Sequence, residues 1–409
     1  DTLRSRGLGD VYKRQGVTMG SKFDFSSLSS SVNQLPETNI VEVAKYGWGR
    51  QGLIPLWFGE GDVPTPSFIS DACHDAMIQG DTFYTDQNGI TELREELLKY
   101  NKRTFNVDLD QERLTVTNSG MMAISIVMQA LLNPGDEVVV IGPVWPNIYS
   151  AISINRGIAT HASISLEDNA WNLNLRDVFA AVSPKTKAIF LNSPGNPTGW
   201  IMPEEDQKKL LKFCREKNIW IVSDEVYHSL VFDRSVANSI LSFAAEQDKV
   251  ISVNSFSKSW LMTGWRLGWI AHPIGMAETF AKLIQISTSG VPTFIQKAGI
   301  TALAKGDEVV SDLRKRCKVG RDIVFDYLEQ WPRVQCMRPN GAFYAFFSVD
   351  GMEDSLEFCK KLIDRCNVGL APGSAFGPGG EGFLRLCFAS TPDKLSEAMQ
   401  ALGKEIGRR

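Results

Sequence analysis

Lys258 stands in a segment whose residue types could hold an anion and attack a carbonyl carbon. The segment contains Ser255–Lys258 (SFSK) and, shortly after it, Gly264–Gly268 (GWRLG). A lysine amine condenses with an aldehyde when desolvation or nearby positive charge lowers its pKa, and the planar guanidinium of Arg266 suits a phosphate. Taken singly, these two side chains would be typical of a surface lysine and an arginine at a helix end. The prediction of chemistry therefore depends on the whole segment.

Two charged residues lie within apolar segments, where an unpaired charge is expensive. Asp224 ends the run WIVSD, and Arg385 lies within FLRLCF. A ligand cation would satisfy Asp224, although aspartate is also a good helix cap. Arg385 needs a carboxylate, which either a ligand or a structural ion pair can supply.

Two turns could present polar groups to the same ligand. Asn118–Met121 lies between a predicted strand and a helix, where free backbone N–H groups suit an anion; an ordinary serine cap is the alternative. Asn192–Gly199 (NSPGNPTG) contains two prolines and two glycines, which fix the direction of Asn196.

These segments follow buried strands that alternate with helical patterns. Continuous apolar runs indicate strands buried on both faces, and strand–helix alternation predicts a parallel or mostly parallel sheet. In such sheets ligands bind outside the carboxyl ends of the strands, so one rim should gather the polar loops. The predicted strands are LTVT (114–117), EVVVI (137–141), KAIFL (187–191), WIVSD (220–224), VISVN (250–254) and LGWIA (267–271).

We expect three structural parts behind a leader. Residues 1–18 contain four basic residues but no apolar stretch typical of a signal peptide, so a non-native leader is expected there. Residues 19–60 are expected to join a small C-terminal domain formed by residues 301–409. Residues 61–300 should form the large ligand-binding domain.

Composition excludes several function classes. A net charge of −4 argues against a nucleic-acid surface, and no apolar run approaches the length of a membrane span. Seven cysteines occur singly, and four histidines lack the spacing of metal ligands, so we expect no metal and a reduced, cytoplasmic location. No G-x-G-x-x-G follows a strand, which disfavours a nicotinamide dehydrogenase.

The segment around Lys258 resembles the lysine-attachment signature of the class I/II aminotransferases, a family of fold-type I pyridoxal-phosphate enzymes. The resemblance extends from about Leu56 to Leu386, with the motifs in the family's order. It implies a mostly parallel sheet of seven strands between helices and a smaller α+β domain. It also implies an aminotransferase that uses pyridoxal 5'-phosphate to move an amino group between an L-amino acid and a 2-oxo acid by a ping-pong mechanism.

The resemblance assigns roles to most of the candidate residues. Lys258 would carry the cofactor, Asp224 would face its ring nitrogen, and Tyr227 its phenolic oxygen. The phosphate would be held by Ser119, Gly120 and Met121, by Ser255 and Arg266, and by Tyr84 of a second subunit, which implies a homodimer. Trp145 would stack on the ring. The remaining roles concern the substrate carboxylate and fall to Arg385, Gly59 and Asn196, the last of which is also expected near the phenolic oxygen.

The residues do not determine the substrate, nor which bond of the substrate is broken. The stretch 287–291 (STSGV) lacks an arginine that some dicarboxylate-specific relatives place there, which weakens aspartate or glutamate as a substrate without excluding it. A carbon–sulfur β-lyase of the same fold type would use the same lysine, aspartate and arginine. A transcription regulator with an aminotransferase-like domain is disfavoured, because fewer than 60 residues precede Gly59 and no basic helix-turn-helix pattern occurs there.

Overall fold

The computed structural model of the chain describes residues 28–33, 35 and 37–407. The predicted leader at residues 1–18 lies outside these residues. None of the described helices is long and apolar enough to cross a membrane. The described strands are β1 (Ile54–Pro55), β2 (Leu114–Thr117), β3 (Glu137–Gly142), β4 (Ile158–Glu167), β5 (Ala170–Leu173), β6 (Thr186–Asn192), β7 (Trp220–Asp224), β8 (Val250–Ser255), β9 (Gly268–Ala271), β10 (Val334–Cys336), β11 (Tyr344–Val349), β12 (Val368–Gly369), β13 (Ala371–Pro372) and β14 (Phe383–Cys387).

The helices connect these strands. Their ends follow from local chemistry, as in the helix 204–217, which has three acidic residues in its first turn and left-handed Asn218 after its last. The helices are α1 (Ser30–Asn33), α2 (Asn39–Gly47), α3 (Ser67–Ile78), α4 (Thr91–Phe105), α5 (Gly120–Leu131), α6 (Asn147–Ile154), α7 (Leu175–Ala180), α8 (Glu204–Lys217), α9 (Phe256–Ser259), α10 (Ala277–Ser287), α11 (Thr293–Lys305), α12 (Asp307–Leu328), α13 (Ser355–Cys366) and α14 (Pro392–Gly403).

The large sheet has the strand order β2-β9-β8-β7-β6-β3-β4-β5. Strands β8, β7, β6, β3 and β4 pair in parallel, whereas β9 runs antiparallel to both of its neighbours. The mostly parallel sheet is therefore confirmed. The resemblance implied seven strands, whereas this sheet has eight; the strands predicted from apolar runs lack β4 and β5, which form a hairpin. Asp168 and Asn169 adopt positive φ between these two strands, as a tight hairpin turn requires.

Both faces of the large sheet are buried, which explains the continuous apolar runs of its strands. Along β6, Ala188 and Phe190 belong to one apolar cluster, and Ile189 and Leu191 to the other. Because successive side chains of a strand point to opposite faces, the two clusters lie on opposite faces of the sheet. Helix α5 contributes Ile124 to the first of these clusters.

A second sheet of four antiparallel strands has the order β10-β11-β14-β13. The N-terminal part of the described chain packs beside it, because β1 pairs in parallel with β12 and α2 contacts α13. The assignment of residues 19–60 to the small domain stays a prediction. The boundary placed at residue 300 falls inside α11, and the division into domains stays a prediction.

Candidate active site

A cavity of about 240 Å³ opens at the carboxyl ends of the central parallel strands. The last residues of β6, β7 and β8 (Asn192, Asp224 and Ser255) all line it, because parallel strands end on the same edge of the sheet. Most of the residues predicted from the sequence line this one cavity: Gly59, Gly120, Met121, Trp145, Asn196, Asp224, Tyr227, Ser255, Lys258, Arg266 and Arg385.

Lys258 lies in the short helix α9, directly after β8. Ser255 caps this helix, its hydroxyl oxygen accepting from Ser257 N at 3.1 Å. The amine Nζ of Lys258 donates to Gly59 O at 2.5 Å. Burial disfavours the ammonium form and lowers the pKa of Lys258 to about 8. The amine is therefore closer to its nucleophilic form at neutral pH than an exposed lysine.

Asp224 ends β7 and is only 5% exposed. One carboxylate oxygen accepts from Val226 N at 3.2 Å, and the part of the chain that the structure describes offers it no cation within salt-bridge distance. Burial raises the pKa of Asp224 to about 7. A buried carboxylate without a counter-ion suits a cationic ligand group on the cavity side.

A turn that could cradle an anion lies where β2 meets α5. Ser119 adopts φ 112° and caps α5 through its hydroxyl, which accepts from Met122 N at 3.2 Å. A Cβ built on Gly268 would lie 2.8 Å from Gly120 N, so only glycine allows β9 to pack this closely behind the turn. Arg266 completes this side of the cavity, donating to Thr263 O.

Asn192 connects the turn around Asn196 to the Asp224 strand. Its Nδ2 donates to Asp224 O at 3.1 Å, and its Oδ1 accepts from Asn196 N at 2.7 Å. Asn192 is a cavity residue that was not among the predicted site residues. Its position at the end of a buried strand, beside Asn196, was the available signal.

Arg385 lies in β14 of the smaller sheet and is 2% exposed. Its Nη1 donates to Asn196 Oδ1 at 3.0 Å, and its Nη2 donates to Trp57 O. Its buried Nε has no hydrogen-bond partner among the residues that the structure describes. Within residues 37–407 no carboxylate lies within salt-bridge distance of this guanidinium, so a structural ion pair does not explain it. The arrangement fits a ligand carboxylate.

Tyr227 and Tyr344 meet at the wall of the cavity. Their hydroxyl oxygens are 2.7 Å apart, and burial raises the pKa of both phenols. Tyr344 was not predicted as a site residue, because an aromatic residue within the apolar run AFYAFFSV is typical of a core strand. The partly buried Trp145 lies nearby on the cavity lining.

Two predicted residues do not line the cavity. Ser119 lies one position before Gly120 and acts on the cradle through its cap. Tyr84 is 93% exposed and lies in a separate surface groove together with Phe83 and residues 288–292. No described group of three or more His, Cys, Asp or Glu side chains has the arrangement of a metal site.

Comparison with known proteins gives a consistent answer. The profile of the family described as aminotransferase class I and II matches residues 54–402. A probable aspartate/prephenate aminotransferase of Aquifex aeolicus is 36% identical over 93% of this chain and 98% of its own length. An aspartate aminotransferase of Thermotoga maritima is 35% identical over 88% of this chain and 93% of its own length.

Solved structures agree with the sequence matches. The crystal structure of an aspartate aminotransferase from Thermotoga maritima has a TM-score of 0.87 and 33% identity, covering 92% of this chain and 99% of that one. An aromatic aminotransferase from Pyrococcus horikoshii has a TM-score of 0.83 and 30% identity, covering 89% of this chain and 98% of that one. The protein therefore belongs to the class I and II aminotransferases, enzymes that transfer amino groups.

Proposed function

We propose that this aminotransferase uses pyridoxal 5'-phosphate in the described cavity to move an amino group between an L-amino acid and a 2-oxo acid. The observation that carries the proposal is a set of three charged side chains on one cavity, of which Asp224 and Arg385 are buried and Lys258 is half-buried. Lys258, Asp224 and Arg385 all line it, and none of them has an ion-pair partner among residues 37–407. Uncompensated buried charges are costly, so a ligand that pairs with them is expected.

The cradle between β2 and α5 would hold the cofactor phosphate. The first N–H groups of α5, after Ser119, have no partner within the helix and favour an anion. Ser255 and Arg266 line the same part of the cavity and add a hydroxyl donor and a guanidinium. The close approach of Gly268 to Gly120 keeps this backbone in place.

The other end of the cavity fits the cofactor ring. When bound, pyridoxal phosphate supplies an aldehyde for amines and a ring that withdraws electron density from the substrate α-carbon. Asp224 would hold a proton on the ring nitrogen, and Tyr227 would donate to the phenolic oxygen. Trp145 offers an aromatic face, and Asn192, whose Oδ1 accepts from Asn196 N, would help to keep Asn196 beside the same oxygen.

Arg385 and Lys258 would act on the substrate. The Nε of Arg385, which has no partner among the described residues, and the hydrogen bond from Arg385 to Asn196 support the binding of an α-carboxylate by this guanidinium and amide. Lys258 Nζ, which donates to Gly59 O, lies beside the same site. With its pKa lowered to about 8, Lys258 can take a proton from the α-carbon and return one as a general acid.

We propose a homodimer in which Tyr84 reaches the partner's phosphate site. Phe83 and Tyr84 are 83% and 93% exposed beside a groove lined by Val291 and Phe294, and exposed apolar patches of this kind are typical of interfaces. Mixing the Lys258→Ala and Tyr84→Ala proteins should restore activity, because one site of each hybrid dimer would contain both native residues. A monomer in sedimentation, or no restoration, would contradict the dimer.

A cytoplasmic location is proposed from the thiols. All seven cysteines are free, and five of them are buried. Free thiols in a chain of this size fit a reducing compartment. A fluorescent fusion of this protein that localises to the periplasm or to an organelle, and not to the cytoplasm, would contradict this proposal.

Absorption spectroscopy tests the central proposal. The purified protein with added cofactor should show a visible band, which an L-amino acid donor should bleach while one 2-oxo acid per site is released. Lys258→Ala should abolish the band, whereas Lys217→Ala, an exposed helix-end control, should not. If the wild-type protein shows no band and Lys258→Ala changes nothing, the proposal fails.

Substrate kinetics separate the aminotransferase from the lyase. Parallel double-reciprocal lines with two varied substrates would support the ping-pong mechanism. Release of pyruvate and ammonia from cystathionine, without a 2-oxo acid acceptor, would favour the β-lyase. None of the similar proteins named above is a lyase.

A further inference from the structure

Tyr344 contacts three parts of the site at once. It begins β11 and has no solvent exposure. Its hydroxyl lies 2.7 Å from that of Tyr227, and the centroid of its ring is 4.5 Å from Cζ of Arg385. A Cβ built on Gly59 would lie 2.0 Å from the Tyr344 oxygen, so this hydroxyl packs against the Gly59 backbone.

The direction of the hydroxyl contact follows from proton counting. Tyr227 has one hydroxyl proton, and the proposed function uses it as a donor to the cofactor's phenolic oxygen. The oxygen of Tyr227 must then accept from Tyr344. Among the described residues Tyr227 is the hydrogen-bond partner of Tyr344, and both side chains are buried, so water does not replace this contact.

The ring of Tyr344 has a second effect, on Arg385. Cζ of Arg385 is 4.5 Å from the Tyr344 centroid and 4.9 Å from that of Phe376. Aromatic faces attract a guanidinium, and here they accompany two hydrogen bonds to neutral oxygens, those of Asn196 and Trp57. The rings therefore hold the guanidinium in place and leave it available to pair with a carboxylate.

We propose that Tyr344 is a positioning residue that links the carboxylate site to the cofactor site, orienting Tyr227 through its hydroxyl and Arg385 through its ring. This inference rests on the proposed function, because it assumes the cofactor and a substrate carboxylate in that cavity. It assigns separate tasks to two parts of one side chain.

The two tasks predict two different measurable effects. Donation from Tyr344 makes Tyr227 a stronger donor and so stabilises the more negative form of the bound cofactor, which lowers the pH midpoint of its visible band. Removing the hydroxyl should raise that midpoint. Removing the ring should loosen Arg385 and weaken carboxylate binding.

The experiment uses the cofactor-loaded protein and three substitutions at this position. Tyr344→Phe removes only the hydroxyl, while Tyr344→Met and Tyr344→Leu both remove the aromatic ring, so that one of these two suffices if the other does not fold. Tyr227→Phe gives the full effect of losing the donor. Tyr327→Phe is the matched control, since Tyr327 accepts from Gln400 on the surface of α12. Thermal unfolding checks that each variant is folded.

Two readouts are measured for each variant. The first is the pH midpoint of the visible band. The second is the dissociation constant of succinate and 3-phenylpropanoate, carboxylates without an amino group, from their effect on that band. Tyr344→Phe should raise the midpoint by about half a pH unit, in the direction of Tyr227→Phe, with carboxylate affinity unchanged. The variants lacking the ring should also bind carboxylate about fivefold more weakly.

Each failure has a distinct meaning. If Tyr227→Phe shifts the midpoint and Tyr344→Phe does not, the hydroxyl does not act through Tyr227 and the inference is overturned. Unchanged carboxylate affinity in the folded ring variants overturns the task assigned to the ring. A wild-type protein without any band would instead overturn the proposed function itself.

Discussion

Replacing Asp224 by asparagine removes a buried charge and should make the cofactor-free protein less sensitive to pH. Asp224 is 5% exposed, and its carboxylate accepts a hydrogen bond from Val226 N. Burial raises the pKa of Asp224 from 3.8 to about 7. Asparagine has nearly the same shape and no titratable proton, so the variant isolates the charge.

The sign and size of the effect follow from proton linkage. Between the unfolded and the folded pKa values, the folded protein holds one proton more than the unfolded chain at Asp224. The free energy of unfolding therefore falls as pH rises through this window. Each pH unit costs about 1.4 kcal/mol, so the wild type should lose about 2 to 3 kcal/mol relative to Asp224→Asn between pH 5 and pH 7.5.

Urea unfolding of both cofactor-free proteins at several pH values measures this difference. Other buried groups also titrate in the window, such as His228 and His272, whose pKa values burial lowers to about 4. Their contributions are shared by both proteins and largely cancel in the comparison. Cofactor should abolish the difference in slope by placing a cation beside the carboxylate. Identical pH dependence of the two cofactor-free proteins would refute the reasoning.

Three further changes test the carboxylate site, the core behind Asp224 and the phosphate cradle. Arg385→Gln should raise KM for an amino acid about 100-fold, because a charge-assisted contact contributes about 2 to 3 kcal/mol; steady-state kinetics measure it, and an unchanged KM would contradict the assignment. Glu225→Ala should lower the free energy of unfolding by about 3 kcal/mol. The Glu225 carboxylate accepts four hydrogen bonds of 2.7 to 3.0 Å, and the substitution would leave these buried donors without an acceptor. The exposed Glu216→Ala is the control in the same denaturation assay, and equal effects would contradict the argument. Gly268→Ala should weaken cofactor binding at least tenfold in a spectral titration, because its Cβ would lie 2.8 Å from Gly120 N; wild-type affinity would show that the cradle can shift.

Site residues that directly follow a buried strand were predictable from the sequence, because their position depends only on that strand and its loop. Apolar runs buried on both faces fixed the strands that end at Asp224 and Ser255, and the polar residues that follow them had to lie on one edge of the sheet. The SFSK segment placed Lys258 on that edge in the same way. Strands β4 and β5 were both missed, because their largely exposed hairpin lacks the continuous apolar run of the buried strands.

Other features depend on side chains that are far apart in the chain. Arg385 meets Asn196 across 189 residues, and Tyr344 meets Tyr227 across 117. Local periodicity shows that such residues are buried, but it does not show which of them touch. That is decided when the smaller sheet packs against the edge of the larger one. The sequence by itself therefore determined most of the groups that face the cavity, because they follow directly on buried strands. The tertiary structure decided that Tyr344, whose sequence pattern is that of a core residue, joins the carboxylate site to Tyr227, because packing alone brings these distant elements together.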